Sequence, residues 1–244
     1  MRIIATIEAR MSSTRLPGKV LLPVLEKPML HYLVSRLKMV PSLDEIVLAT
    51  TVNPADDILE KFSKTENISC YRGSENDVMG RVIDAAKFAN ADIVVEITGD
   101  CPIIDSGIVQ QAIQTYNANN VDYVSIGNVR SYPDGMDVQV FSLDTLIKSA
   151  NLTKKKLDRE HVTLHICNHP EIFSHLNMVA PPELYWPELG LTLDEDSDYQ
   201  LLKYIIEFFQ QNAMTFSCLD VIKLLQSKPD LLNINQHVER KGAT

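Results

Sequence analysis

Cysteine is scarce in this 244-residue chain, and its placement excludes two architectures. Cys70, Cys101, Cys167 and Cys218 are scattered with no C-x-x-C pair. That spacing fits neither a zinc ribbon nor a disulfide framework and leaves reduced thiols as the reading. Positive charge is also in deficit: 23 Lys and Arg against 32 Asp and Glu give a formal net charge of -9. A general nucleic-acid binder needs a positive surface to displace counterions along phosphates, so that class is set aside. No run reaches the roughly 18 apolar residues of a membrane span. The start, MRIIATIEAR, lacks an apolar core of about ten residues before a small-residue cleavage site, and the expectation is a cytoplasmic protein with no membrane partner. Familiar catalytic signatures are missing too. The pattern G-x-x-x-x-G-K-[ST] fails because Ser13 and Val20 stand where a Gly and a Ser or Thr are needed, and neither G-x-G-x-x-G nor H-E-x-x-H occurs. There is no internal repeat and no low-complexity segment.

What is present is apolar content and rhythm. At 45% hydrophobic the chain can bury a full core, and its length fits one domain over 1–244 with an insertion. RIIATIEA reads as a strand buried on both faces. KPMLHYLVSRLKMV sets Leu30, Leu33, Val34 and Leu37 at helical spacing, with Pro28 suited to the first turn. DEIVLATT is the next strand, and Asn53, Pro54, Asp56 and Asp57 supply a cap, a first-turn proline and dipole-matched acids for a second helix. NISCYRG, ADIVVEIT and VDYVSI continue as strands, separated by the helices DVMGRVIDAAKFA and SGIVQQAIQTYNAN. The alternation predicts an α/β fold with right-handed crossovers and a mostly parallel sheet covered on both sides. From about 130 the rhythm changes. SYPDGMDVQVFS turns into an alternating strand, TLIKSA and then 154–167 are helical, EIFSHLNMVA is a strand, and PPELYWPELGLTL is irregular. Residues 130–190 are therefore read as an excursion from the main sheet, suited to substrate contacts and subunit pairing. LTLDEDSDYQLLKYIIEFFQ returns as a strand ending in acids and a helix whose Leu201, Leu202, Ile205 and Phe209 face the core, and LDVIKLLQ adds a last helix.

One basic loop stands out in the acidic chain. Between the first strand and the first helix, ARMSSTRLPGK holds Arg10, Arg15 and Lys19 around Pro17 and Gly18. Backbone N–H groups after a strand, a flexible glycine and three cations can surround a polyphosphate without a P-loop consensus. The competing reading is solvated arginines on a Pro-Gly turn. EITGDCP sets Asp100 just beyond one strand, and LTLDEDSD sets Asp194 at the end of another. Ligands of open α/β sheets sit at the carboxyl ends of strands. If these strand ends are neighbours, the loop and two carboxylates meet, and carboxylates with phosphate oxygens are the donors Mg²⁺ prefers. The alternative is that Asp100 caps the helix beginning near Asp105 and Asp194 caps the helix after it.

ARMSSTRLPGK, ATT, ITGDCP and LDEDSDYQLL, in this order and at this spacing, resemble the sugar cytidylyltransferases that include CMP-Kdo synthetase and CMP-acylneuraminate synthetase. RGSENDV, YPDGMDVQVFS and DREHV point to the spore-coat polysaccharide cytidylyltransferase-like branch. The resemblance runs over nearly the whole chain. It implies a three-layer, Rossmann-like nucleotide-diphospho-sugar transferase fold with a mixed sheet, a homodimer, and Mg²⁺-dependent transfer of CMP from CTP to a sugar with release of pyrophosphate. By position it implies that Arg10, Ser13, Arg15 and Lys19 hold the CTP phosphates and that Asp100 and Asp194 bind the metal. It also implies that Arg72 and Ser74, with the backbone around Ala49 and Thr50, lie near base and ribose. Lys19, Arg15 and Asp100 are the expected catalytic group. Two places depart from members near CMP-Kdo synthetase: Cys101 replaces an acid, and Glu195-Asp196 replaces Thr-Pro.

Acceptor recognition falls on the changed segment. Asp134, Asp137 and Gln139 are candidates for contacts to sugar hydroxyls or the metal, or else a turn acid and two strand positions. His161, His165 and His169 are spaced to share one helical face, and without an H-E-x-x-H or a carboxylate pattern they read as substrate-facing or dimer-surface groups rather than a zinc site. His161 joins the acceptor set. Arg159 is a candidate bidentate partner for an acidic sugar's carboxylate, or else a solvated helix residue. Trp186, set between prolines, reads as a packing anchor. The expected activity is CMP transfer from CTP onto a sugar, preferably a sugar acid, for a surface polysaccharide. Two alternatives stay open. One is the same fold with another nucleotide or a phosphorylated acceptor, for which Lys154 to Lys156 is a candidate anion site. The other is a non-catalytic nucleotide-binding partner of a biosynthetic enzyme.

Overall fold

In β1 (Ile3–Glu8) the side chains of Ile3, Ala5 and Ile7 enter one apolar core and Ile4 enters a second. Successive strand residues point to opposite faces, so this run has to be covered on both. The structure, a computed structural model, describes residues 1–212 and 215–240. After β1 come a short hairpin of β2 (Pro23–Val24) and β3 (Lys27–Pro28), then α1 (Met29–Leu37), β4 (Glu45–Thr51), α2 (Asp57–Glu66), β5 (Ser69–Gly73), α3 (Val78–Phe88) and β6 (Ile93–Thr98). They are followed by α4 (Ser106–Ala118), β7 (Tyr123–Ser125), β8 (Gln139–Ser142), α5 (Leu143–Leu152), α6 (Lys156–Glu160), α7 (Leu164–Asn168), β9 (His175–Asn177), α8 (Asp196–Gln211) and α9 (Cys218–Ser227).

Seven strands form one sheet in the order β5-β4-β1-β6-β8-β7-β9. All pairings are parallel except those of β8, which runs against both β6 and β7. Helices α1, α2, α4, α8 and α9 contribute to the core on one face, and α3, α5 and α7 to the core on the other. This is the mostly parallel, three-layer α/β architecture expected from the sequence. From β1 the chain adds β4 and β5 on one side and β6 on the other, so the crevice beyond the carboxyl ends of β1 and β6 is the switch point where open α/β sheets bind ligands. No helix among the described residues is long and apolar enough to cross a membrane.

Three expectations need correction. Residues 130–190 do not simply leave the sheet, because β8 is inserted between β6 and β7 and β9 forms the far edge. The helix expected over 154–167 is two short helices, since His161 has φ -106 and ψ 64 and breaks the run. Val162 goes into the core and the Thr163 hydroxyl donates to Gln139 on β8, and two β-branched residues held this way do not continue a helix. Residues 191–193 are not a strand, and the chain bends at Thr192. They lie between a parallel bridge from Gly190 to Asp134 and the α8 capping box, with too little length to build a ladder.

Candidate active site

The basic loop is closed by its own backbone. Gly18 has φ 71, the left-handed region that favours glycine, and its N–H donates to the Met11 carbonyl at 3.0 Å. Lys19 then opens one 3₁₀ turn, Lys19–Leu21. Its Nζ donates to Asp100 Oδ2 at 2.9 Å and to Asp194 Oδ1 at 3.0 Å, and Arg15 reaches the same Asp194 oxygen at 2.7 Å. Two backbone contacts hold these groups together. The Gly99 N–H donates to the Glu8 carbonyl at 2.9 Å, and a Cβ on residue 99 would stand 2.8 Å from that oxygen. The Leu193 N–H donates to the Asp100 carbonyl at 2.8 Å, which sets Asp194 beside Asp100.

Neither aspartate caps a helix. Asp105 caps α4 by accepting from the Gly107 and Ile108 amides, and Glu195 caps α8 in a box with Asp198. Burial opposes charge on Lys19, but Asp100 and Asp194 outweigh it and raise the ammonium pKa. Burial also pushes Asp100 upward, and Lys19 overturns that to hold the carboxyl below its usual range. Both groups are therefore charged at neutral pH. Cys101, at the position where an acid was noted as missing, is buried against Thr98, and burial pushes its thiol well up. It adds no anionic ligand.

A cleft of about 1020 Å³ opens beside this cluster. Asp134, Asp137, Gln139 and His161 line it. Gly135 has φ 104, and a Cβ there would lie 2.7 Å from the Leu191 carbonyl, so the Asp134 turn packs directly on the segment leading to Asp194. Burial and neighbouring Asp134 push the Asp137 carboxyl up to about 6, and burial raises Asp134 despite Arg240.

Other assigned residues are engaged elsewhere. Arg159 grips Asp77 with two nitrogens and touches the Met79 sulfur at 3.4 Å, tying α6 to the N-terminus of α3 outside the cleft lining. Asp77 is the N-cap that attracts it. Arg72 donates to the carbonyls of Thr51 and Asn53 and pairs with Asp57 at 2.7 Å, so α2's acidic first turn takes its charge. The Ser74 hydroxyl accepts from the Asp77 amide, and Arg81 occupies the carbonyls of Ser74 and Ala49. Thr50 is buried with its hydroxyl unpartnered. Arg10 faces Glu75 at 3.5 Å, while Ser13 is half-buried in the loop. His165 is buried against Ser149 with its ring on His169, whereas His161 lines the cleft, so the three histidines do not share one face. Trp186 packs against the main core, as a packing anchor does.

Among the lining residues not singled out in the sequence are Glu8, Glu96, Arg130 and Arg240. The first two were legible as acids interrupting buried strands; the arginines carried no local signal. As to Mg²⁺, the hard oxygens of Asp100 and Asp194 share one cation and so lie within reach of a single ion. Among the described residues no three His, Cys, Asp or Glu form a metal cage. Two carboxylates completed by phosphate oxygens and water fit Mg²⁺, which is seldom held by an all-protein cage.

Comparison with known proteins places this geometry. The chain is 33% identical to a cytidylyltransferase from Leptospira borgpetersenii of known structure, with a TM-score of 0.91 over 98% of this chain and 100% of that one. It is 32% identical over 233 residues to the spore coat polysaccharide biosynthesis protein SpsF of Bacillus subtilis, covering 93% of this chain and 95% of the relative. It is 34% identical over 242 residues to an uncharacterized protein of Methanocaldococcus jannaschii, covering 99% and 98%. The cytidylyltransferase family model matches residues 4–232, and the chain belongs to that family.

Proposed function

We propose that the protein transfers CMP from CTP to a sugar hydroxyl, with a sugar acid as the acceptor class and with Mg²⁺ held by Asp100 and Asp194. The observation that supports this reading is Lys19, which joins a phosphate-type loop to the carboxylates of Asp100 and Asp194 beside a cleft. Phosphoryl-type transfer asks a protein mainly for positioning and charge neutralisation. Arg15 and Lys19 hold the triphosphate and stabilise the negative charge that builds on the leaving pyrophosphate. When bound, Mg²⁺ supplies further charge neutralisation at the phosphate oxygens. The acceptor oxygen forms a bond to the α-phosphorus as the bond to pyrophosphate breaks. Its proton goes to the Asp137 carboxylate, whose pKa near 6 suits a base at neutral pH.

The name of the Bacillus relative supports a role in surface polysaccharide synthesis. Leu152, Leu157, Ile172 and Val179 stay exposed in the 130–190 segment and support homodimerisation there, in the cytoplasm. The test is pyrophosphate release and thermal shift with each of the four nucleoside triphosphates, with and without Mg²⁺. CTP-selective, Mg²⁺-dependent stabilisation is expected. An equal response to all four, or none, overturns the cytidylyl assignment.

A further inference from the structure

Lys19 and the metal are assigned the same two oxygens. Lys19 Nζ stands 2.9 Å from Asp100 Oδ2 and 3.0 Å from Asp194 Oδ1, and its side chain is 12% exposed. A Mg²⁺ ion bridging those oxygens would approach each at roughly 2.0–2.1 Å and bring two charges. An ammonium already between them leaves no room for that ion, and the two cations repel. The triphosphate is assigned the same ammonium, two of whose three hydrogens go to the carboxylates.

The surroundings let the Lys19 side chain leave and keep the site without it. Its N–H donates to the Leu16 carbonyl at 3.2 Å, and its carbonyl accepts from the Leu22 N–H at 3.2 Å. The backbone is thus fixed in its turn, and the movable part is the flexible four-carbon stem. The carboxylates do not depend on Lys19 for their places. The Leu193 N–H to Asp100 carbonyl contact joins their backbones, Arg15 holds Asp194 Oδ1 at 2.7 Å, and the Thr192 hydroxyl lies 3.4 Å from Asp194 Oδ2. Arg15 pairs with Asp194 and Glu195, so among the described residues it does not bridge Asp100 to Asp194 as Lys19 does.

We propose that Lys19 is the resident counterion of the metal site: in the nucleotide-free protein its ammonium keeps a divalent ion out from between Asp100 and Asp194, and the triphosphate draws it away. Nucleotide and metal then bind cooperatively, each favouring the other. The proposal rests on the reading of these carboxylates as metal ligands and of the loop as the triphosphate site, and it adds the order in which they fill.

The test is Mn²⁺ binding to the nucleotide-free protein, followed by loss of the free-ion EPR signal, in wild type, Lys19→Met, Lys19→Gln and Lys19→Met/Asp100→Asn. Both single variants are expected to bind one ion roughly 10-fold or more tightly than wild type, and the double variant to lose that gain. Tighter metal binding in variants whose turnover falls separates this role from general damage to the site. With CTP in excess, where chelation by free nucleotide is common to all the proteins, the Mn²⁺ concentration that half-maximally raises Tm should be no lower in the single variants than in wild type. Equal or weaker Mn²⁺ binding in both single variants without nucleotide, or an advantage that persists unchanged with CTP, overturns the proposal and leaves the metal and CTP readings standing. A double variant as tight as Lys19→Met puts the ion elsewhere and overturns the metal reading as well. Absence of CTP stabilisation in wild type instead overturns the donor reading, and the cooperativity with it.

Discussion

Lys19 has one charge and two carboxylates to share it with. In Lys19→Met, Asp100 loses the group that keeps its pKa down, and Asp194 keeps Arg15. Turnover is expected to fall roughly 10²- to 10³-fold, the usual effect of removing one charge-stabilising donor. Lys19→Arg should not restore it, because a longer, planar guanidinium does not fit where the compact ammonium sits between the two carboxylates at 2.9 Å and 3.0 Å. Initial-rate pyrophosphate release at saturating CTP checks both variants. The two catalytic cations proposed from the sequence meet at one point, whereas Arg72 and Arg159 do not join them. Nothing in RGSENDV or DREHV shows that Asp57 and Asp77 lie within reach to claim those guanidinium groups.

At the scale of elements, the site depends on where backbones touch. A methyl at residue 99 would stand 2.8 Å from the Glu8 carbonyl and 3.0 Å from Ala9 Cβ, so Gly99→Ala must part the ends of β1 and β6 and carry Asp100 with it. A stability loss of about 1–3 kcal/mol is expected on denaturant unfolding. Activity should fall further than that loss alone explains. The Asp77–Arg159 link joins α6 to α3. Burial opposes the charge on Asp77, but Arg159 and the Gly80 amide overcome it and hold the pKa below the usual carboxylate range. A depressed folded-state pKa contributes stability that is present above the unfolded pKa of about 3.9 and is lost as pH falls through the folded value. Arg159→Ala should cost about 1–2 kcal/mol at pH 7, discounted for partial exposure, with the difference from wild type shrinking in the acid range. Urea melts from pH 7 down to pH 3 measure it.

At the scale of the whole molecule, the tail returns to the site. Arg240 pairs with fully buried Asp198 at 2.7 Å, donates to Thr192 at 3.0 Å, and lies flat on Gly190. Asp198 keeps the amides of Asp194 and Glu195 and the Asn235 side chain when the arginine is removed. Arg240→Ala is therefore expected to cost about 1–3 kcal/mol rather than the full penalty of a stranded buried charge. Gly190→Ala would evict the same guanidinium, so the double variant should be no less stable than the weaker single one, a non-additivity that thermal melts of the three proteins can read.

Local periodicity and motif spacing settle what depends on neighbours in the chain. The main-sheet strands from β1 to β7 with the helices between them, the loop after β1, and the cap at Asn53 were legible, because each is decided within a few residues. The charge partners were not. Lys19 meets acids 81 and 175 residues away, and which carboxylate comes within hydrogen-bond reach of which cation depends on the crossovers that bring distant strand ends together. The same holds for β8 slipping between β6 and β7 and for Arg240 folding back from the tail. Coulomb and hydrogen-bond energies act through distance in space, and only the tertiary structure sets those distances.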